Sequence, residues 1–305
     1  MTETDLILPP TCSLSQAAPT RAFRVVSEKA ALWFEPRNDV LLVSFDNLAS
    51  VDRPYPRAPW LHRQAGELGY SQLGVQSMEK DWFRHDTAPA MIRGLQQQGF
   101  FQGFSTVVFV GASMGGFAAI NFGPLVHGAR VLALSPQSTM NTTIAPFERR
   151  FTWAVRNSDW HQPAFLDAAA AVPFVPALTV VYDPFVPEDK QHASRLSGAN
   201  VQMIRLGHAT HEAVRVIIKS GALNPMLSEF VQTGQLGPDF WRHMRRRRTV
   251  RKWGRSFMDA LIRSNHPRLT LRAAEALLRQ ENYLFAHRAR EIVLQKHPEL
   301  GDTAV

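Results

Sequence analysis

Ser113 stands in the run Gly111-Ala112-Ser113-Met114-Gly115, followed at once by Gly116. The stretch Thr106-Val107-Val108-Phe109-Val110 leads into it as a strand, and Phe117-Ala118-Ala119-Ile120-Asn121-Phe122 leads out as a helix. A serine lifted on a sharp strand-to-helix turn exposes its hydroxyl, and flanking glycines let neighbouring backbone pass close to the turn. The chemistry open to it is nucleophilic attack on an acyl carbon, once a neighbouring base takes the hydroxyl proton. The N–H of Met114, at the start of the helix, would face the developing negative charge and serve an oxyanion hole. A glycine-rich turn around a buried serine is the bland alternative.

This context resembles the nucleophile elbow of the α/β-hydrolase superfamily, and the resemblance extends over residues 20–221. It implies an acid and then a base after the nucleophile, each in a loop that follows a strand. Ala177-Leu178-Thr179-Val180-Val181-Tyr182 ends in Asp183-Pro184-Phe185-Val186-Pro187, and Val201-Gln202-Met203-Ile204-Arg205-Leu206 ends in Gly207-His208. The resemblance therefore assigns Ser113, Asp183 and His208 as the catalytic residues. His208 would take the serine proton and return it to the leaving group, while Asp183 holds the imidazole in the right tautomer. Two of these assignments have rivals. Glu188 and Asp189 read as first-turn acids of the next helix, favoured by its dipole. His211 is the alternative base, read as lying within a helix that runs to Ser220 and is capped by Gly221. The second oxyanion donor is expected after the strand Val40-Leu41-Leu42-Val43-Ser44-Phe45, at Asn47, with an N–H from Asp46 beside it. This departs from the His-Gly pair that many members of the superfamily carry there.

Strands alternating with helices must position these residues. Phe23–Phe34 reads as a strand pair, Leu73–Ser77 as a short strand, Pro89–Gln98 as a helix and Val131–Leu134 as another apolar strand. Near-continuous apolar runs suit a sheet covered on both faces, and the alternation implies a mainly parallel sheet with right-handed crossovers. The expected fold is a three-layer α/β/α sandwich of the α/β-hydrolase type, with additional helices at the C-terminus. The connection 137–176 is longer than a simple crossover. In α/β-hydrolases an insertion there commonly forms a lid, which makes Arg149, Arg150 and Trp153 candidate substrate contacts; a plain helical crossover fits equally. Asp46, Trp82, Arg84 and His85 are further candidates from the other side.

Residues 1–19, rich in Thr, Pro and Ala, read as a loose tail. The segment 222–305 reads as an appended helical module. It holds 15 Lys and Arg against 8 Asp and Glu, so nearly all of the chain's formal charge of +8 resides there. Arg245-Arg246-Arg247-Arg248 with Arg251-Lys252 is its densest run, and Ala273–Leu294 resembles a tetratricopeptide-type helix pair. One such unit cannot make a solenoid. The basic run is either a solvated face or a surface for an anionic membrane or polymer, with no motif for specific nucleic-acid recognition.

A chain of 305 residues with 45% hydrophobic content suits one main domain and a small one. The single cysteine, Cys12, excludes an intramolecular disulfide framework. No metal-ligand cluster, P-loop or dinucleotide fingerprint is present, so no metal and no cofactor is implied. Without a signal-peptide pattern or a membrane-spanning run, the expected location is cytoplasmic. The residues point to a serine hydrolase acting on an ester or related acyl bond. Ser135-Pro136-Gln137 and Asp183-Pro184, taken with the serine motif, also resemble bacterial hydrolase-like proteins linked to surface polysaccharide, which adds an acylated glycan to lipid esters as a substrate class. A non-catalytic binding or scaffold protein on the same fold is the alternative, because function resides in the site.

Overall fold

The computed structural model describes residues 18–301, and eight strands among them form one sheet. Of the tail expected over 1–19, residues 1–17, with Cys12, lie outside the described residues. The strands are β1 (Phe23–Val26), β2 (Ala30–Glu35), β3 (Val40–Phe45), β4 (Ser71–Ser77), β5 (Thr106–Ala112), β6 (Arg130–Leu134), β7 (Leu178–Tyr182) and β8 (Val201–Arg205). Their order across the sheet is β1-β2-β4-β3-β5-β6-β7-β8. β2 runs antiparallel to both β1 and β4, and every other pair is parallel.

Alternation along the strands divides the apolar side chains between two cores, because successive residues point to opposite faces. On β5, Val107 and Phe109 enter one core, while Val108, Val110 and Ala112 enter the other. Val131 and Ala133 on β6 part from Leu132 and Leu134 in the same way. A sheet apolar on both faces needs helices on both, which is what near-continuous apolar strands demand.

The first helices are α1 (Leu48–Val51), α2 (His62–Leu68), α3 (Thr87–Gln97) and α4 (Met114–Phe122). Between β6 and β7 lie only two short ones, α5 (Thr152–Asn157) and α6 (Ala168–Ala171). They are followed by α7 (Pro187–Arg195), α8 (Ala213–Lys219), α9 (Leu223–Thr233) and α10 (Pro238–Met244), then α11 (Arg251–Arg263), α12 (Pro267–Leu278) and α13 (Leu284–Lys296). Leu223, Met226, Leu227, Phe230 and Val231 give α9 an apolar stripe at helical spacing, buried in the second core with Phe240 and Met244 of α10. The end of the sheet core expected at Gly221 is therefore not a break in packing. A separate small core begins later, where Met258 and Leu261 of α11 meet Ala274, Leu277, Ala286 and Ala289 of the two last helices. No helix among the described residues is long and apolar enough to cross a membrane.

β3 lies between β4 and β5, so the chain changes sides at its C-terminal end. Open α/β sheets bind ligands in the crevice at such a switch point. The loop Asp46-Asn47 follows β3 there, and Ser113 follows β5.

Candidate active site

Ser113 joins β5 to α4 with φ 53° and ψ −118°, a conformation unfavourable for any residue with a Cβ. Its N–H bonds Leu134 O at 2.9 Å and its carbonyl accepts the Phe117 N–H at 3.0 Å, which hold the turn against β6 and start the helix. A Cβ on Gly115 would come within 2.7 Å of Asp46 O and 2.8 Å of Phe45 O. Only glycine lets the elbow close against the end of β3 in this way. Met114 is the first residue of α4, and first-turn N–H groups have no acceptor within their own helix.

His211 is the histidine on Ser113: Nε2 lies 3.0 Å from Ser113 Oγ. Its Nδ1 lies 2.9 and 3.0 Å from the two carboxylate oxygens of Asp189. A carboxylate only accepts, so Nδ1 carries the proton and Nε2 is left to receive the serine hydroxyl. His211 sits in the turn before α8 rather than inside that helix, and Asp189 sits in the first turn of α7, its side chain 1% exposed. The arrangement can draw the proton from Ser113 and stabilise the resulting imidazolium.

The expectation for Asp183 and His208 is corrected. Asp183 is consumed by loop backbone: its carboxylate accepts the N–H of Phe185 at 2.9 Å and of Thr210 at 2.7 Å. The His208 ring stacks on Phe185, centroids 4.5 Å apart, and meets the edges of Trp253 and Phe257 from α11. Its Nδ1 is buried without a hydrogen-bond partner, and burial pushes the imidazole pKa down. Asp183 thus ties the loop after β7 to the loop that carries His211.

A chain of charges continues behind Asp189. Arg150 Nη1 donates to Asp189 Oδ1 at 2.8 Å, and its Nε and Nη2 reach the carboxylate of Glu148. Burial raises the Glu148 carboxyl, but hydrogen bonds from His192 and Arg150 outweigh it and bring the pKa down to about 2. His192, 0% exposed, accepts the Ser138 N–H on Nδ1 at 3.1 Å, so its Nε2 carries the proton toward Glu148 Oε2, 3.1 Å away. Burial lowers its pKa, which favours the neutral ring.

Gln137, also fully buried, touches the nucleophile: Nε2 is 3.1 Å from Ser113 Oγ and 3.5 Å from His211 Nε2. Trp82, named from sequence as a substrate contact, is buried and donates its indole N–H to Gln137 Oε1 at 3.1 Å. Asn47 caps α1 through its side-chain Oδ1, which accepts the Ser50 N–H at 3.2 Å. The expected donation from Asp46 fails, because that N–H bonds Val75 O at 3.2 Å. The Asp46 side chain is buried against Arg57 at 2.6 Å and cannot contact substrate; burial raises its pKa to about 6 against the pull of Arg57.

The remaining candidate contacts divide. Arg84 is spent on the carbonyls of Asp159, Gln162 and Ala164, which pins the 137–176 connection instead of meeting substrate. His85 lies 3.8 Å from Asp81, its side chain 10% exposed. Arg149 is exposed, and half-buried Trp153 packs near Trp82, centroids 5.8 Å apart. Phe151, which sequence did not single out, lies 5.8 Å from the His211 ring. No metal-binding group of His, Cys, Asp and Glu forms among the described residues.

Sheet order, elbow and flanking helices together define the α/β-hydrolase fold. No family model and no curated protein matches the chain. Solved structures similar in fold include the capsule O-acetyltransferase of Neisseria meningitidis serogroup A, at 11% identity and TM-score 0.42 over 64% of this chain and 94% of that one. An esterase of Pyrococcus furiosus is similar at 14% identity and TM-score 0.42, covering 76% and 98%. Carboxyl esterase 2 of Tuber melanosporum is similar at 12% identity and TM-score 0.46, covering 79% and 91%. These likenesses concern the fold alone.

Proposed function

We propose that this chain is a serine hydrolase that cleaves an ester or related acyl bond through an acyl-enzyme on Ser113. His211 is the base and Asp189 the acid. The observation that carries the reading is the continuous Ser113–His211–Asp189 relay at the strained end of β5. Ser113 Oγ attacks the carbonyl carbon as its proton passes to His211 Nε2. The oxyanion is met by the N–H groups of Met114 and Asn47, and His211 returns the proton to the leaving group. Water then repeats the sequence on the acyl-enzyme. The Phe151 ring, 5.8 Å from that of His211, favours a leaving group or acyl part with an apolar face, as in an acylated glycan or a lipid.

A fluorophosphonate probe tests the reading: it should label the native chain and fail to label Ser113→Ala. Ester hydrolysis that survives in Ser113→Ala would place the activity elsewhere.

A second reading concerns the basic run. Arg245, Arg246 and Arg248 are exposed, and no ion pair among the described residues involves them. We propose that they face an anionic surface or polymer, whether or not the Ser113 relay turns over.

A further inference from the structure

We propose that Gln137 is a catalytic residue whose side-chain N–H stabilises the charge on Ser113 Oγ itself. The inference rests on the nucleophile reading of Ser113 and goes beyond its relay. Ser113 has one hydroxyl proton, and at 3.0 Å it is directed to His211 Nε2. The oxygen's lone pairs remain, and Gln137 Nε2 approaches them at 3.1 Å.

The amide's orientation is set by chemistry rather than by shape. An indole N–H can only donate, so the Gln137 atom 3.1 Å from Trp82 Nε1 must be the carbonyl oxygen. The NH₂ group is thereby the amide end nearest Ser113 Oγ, at 3.1 Å, and the one 3.5 Å from His211 Nε2, while Oε1 stands farther from the same Oγ at 3.3 Å. Both partners are 0% exposed, so neither amide atom has water as an alternative.

Considerable backbone strain is spent on this placement. Trp82 and Phe83 are consecutive non-glycine residues with φ of 55° and 54°, and Ser135, two residues before Gln137, has φ 45°. Left-handed conformations cost energy in bulky residues and persist only where the surroundings fix them, most often at functional sites. Asp81 does the fixing here, accepting the Phe83 N–H at 3.0 Å and the Ser77 hydroxyl at 3.2 Å. The Trp82 ring is wedged against Phe151 at 5.3 Å and Trp153 at 5.8 Å.

The amide acts at two moments. In acylation the Oγ–H bond breaks, its proton goes to His211, and the Oγ–carbon bond forms while the carbonyl π pair moves onto the carbonyl oxygen. Gln137 donates to Oγ as it sheds its proton. In deacylation water adds to the acyl carbon and gives a proton to His211. The carbon–Oγ bond then breaks with its electron pair returning to Oγ, which regains the proton from His211. The same N–H meets that charge. A donor preorganised in a dry site is worth far more than one in water.

Gln137→Met keeps nearly the same volume and removes the N–H. On a small neutral ester it should lower kcat by about 10²-fold with KM held within about twofold. The rate of fluorophosphonate labelling should fall in parallel. Gln137→Glu, which keeps the acceptor for Trp82 but turns an acceptor to Ser113, should fall at least as far. Trp82→Phe, which removes the indole N–H that orients the amide, should slow labelling by about tenfold. A Gln137→Met enzyme with native kcat and labelling rate overturns the proposal. So does Trp82→Phe at the native rate, should the Met variant not fold. Activity persisting in Ser113→Ala would instead overturn the nucleophile reading; loss there with a native Gln137→Met overturns only the role of Gln137.

Discussion

Arg150 Nη1 and His211 Nδ1 share one acceptor, Asp189 Oδ1, at 2.8 and 2.9 Å. The carboxylate beside the imidazole is therefore neutralised in part by a guanidinium delivered from the β6–β7 connection. That ties the position of the relay to that connection.

Removing Arg150 should loosen the relay. Loss of the hydrogen bond that orients Asp189 should lower kcat on a small ester by about tenfold in Arg150→Met, with Arg150→Lys restoring part of it. Breaking one side of a buried ion pair also costs about 3 kcal/mol of stability, so turnover should be measured well below the Tm. A native kcat in Arg150→Met would reduce Arg150 to a structural brace.

The two histidines should separate cleanly. His211→Ala and Asp189→Ala should each cut ester turnover by about 10³-fold or more. His208→Phe, which preserves the stack on Phe185, should stay within about threefold of native turnover. The reverse result would return the base to His208. Asp183→Ala should show a partial loss, because Thr210, whose N–H it holds, adjoins His211.

Why the elbow could be read outright, and Asp189 and His211 only as rivals to Asp183 and His208, has a physical cause. G-x-S-x-G works over five residues, and its strand and helix are local patterns that burial of both sheet faces makes unmistakable. The acid and base depend on how many residues each loop spends before turning inward. Sequence places them at the strand ends, Asp183 and His208. Asp189 instead uses the first helical turn expected for an acid, and His211 the turn before α8. His208 is diverted by Trp253 and Phe257, far along the chain, which no local pattern announces. Gln137 is set by Trp82 in the same non-local way. A first-turn acid next to a loop already holding an Asp was the one signal that pointed to Asp189.

Two buried carboxyls should give opposite pH dependence of stability. The Glu148 pKa is depressed from 4.5 to about 2, so its contribution is present above 4.5 and lost as pH falls toward 2. The Asp46 pKa is raised from 3.8 to about 6, so its contribution is present below 3.8 and lost as pH rises through 6. The Tm difference between native and Glu148→Gln should therefore shrink on acidification below pH 4.5. Asp46→Asn should gain on the native protein as pH rises from 4 to 7. Parallel Tm curves across these ranges would show that neither carboxyl titrates as its surroundings dictate.

The basic run allows a test that spares the fold. Arg247 lies over the Trp253 ring at 5.6 Å and bonds Met244 O at 2.9 Å, so it belongs to the packing that holds α11 and should be left in place. Arg245, Arg246 and Arg248 are exposed and can be exchanged for Gln together. Hydrolysis of a small neutral ester should be unchanged, since none of the three contacts the Ser113 relay. Each basic residue near an anionic membrane is worth about 1 kcal/mol, so the triple variant should bind anionic vesicles roughly 10²-fold more weakly. Raising salt should have the same effect on the native protein, because exposed charges are screened over about 10 Å at 0.1 M. Vesicle and acidic-polymer binding that is equal in both proteins at low salt would leave the run a solvated face, and the anionic-partner reading would fall.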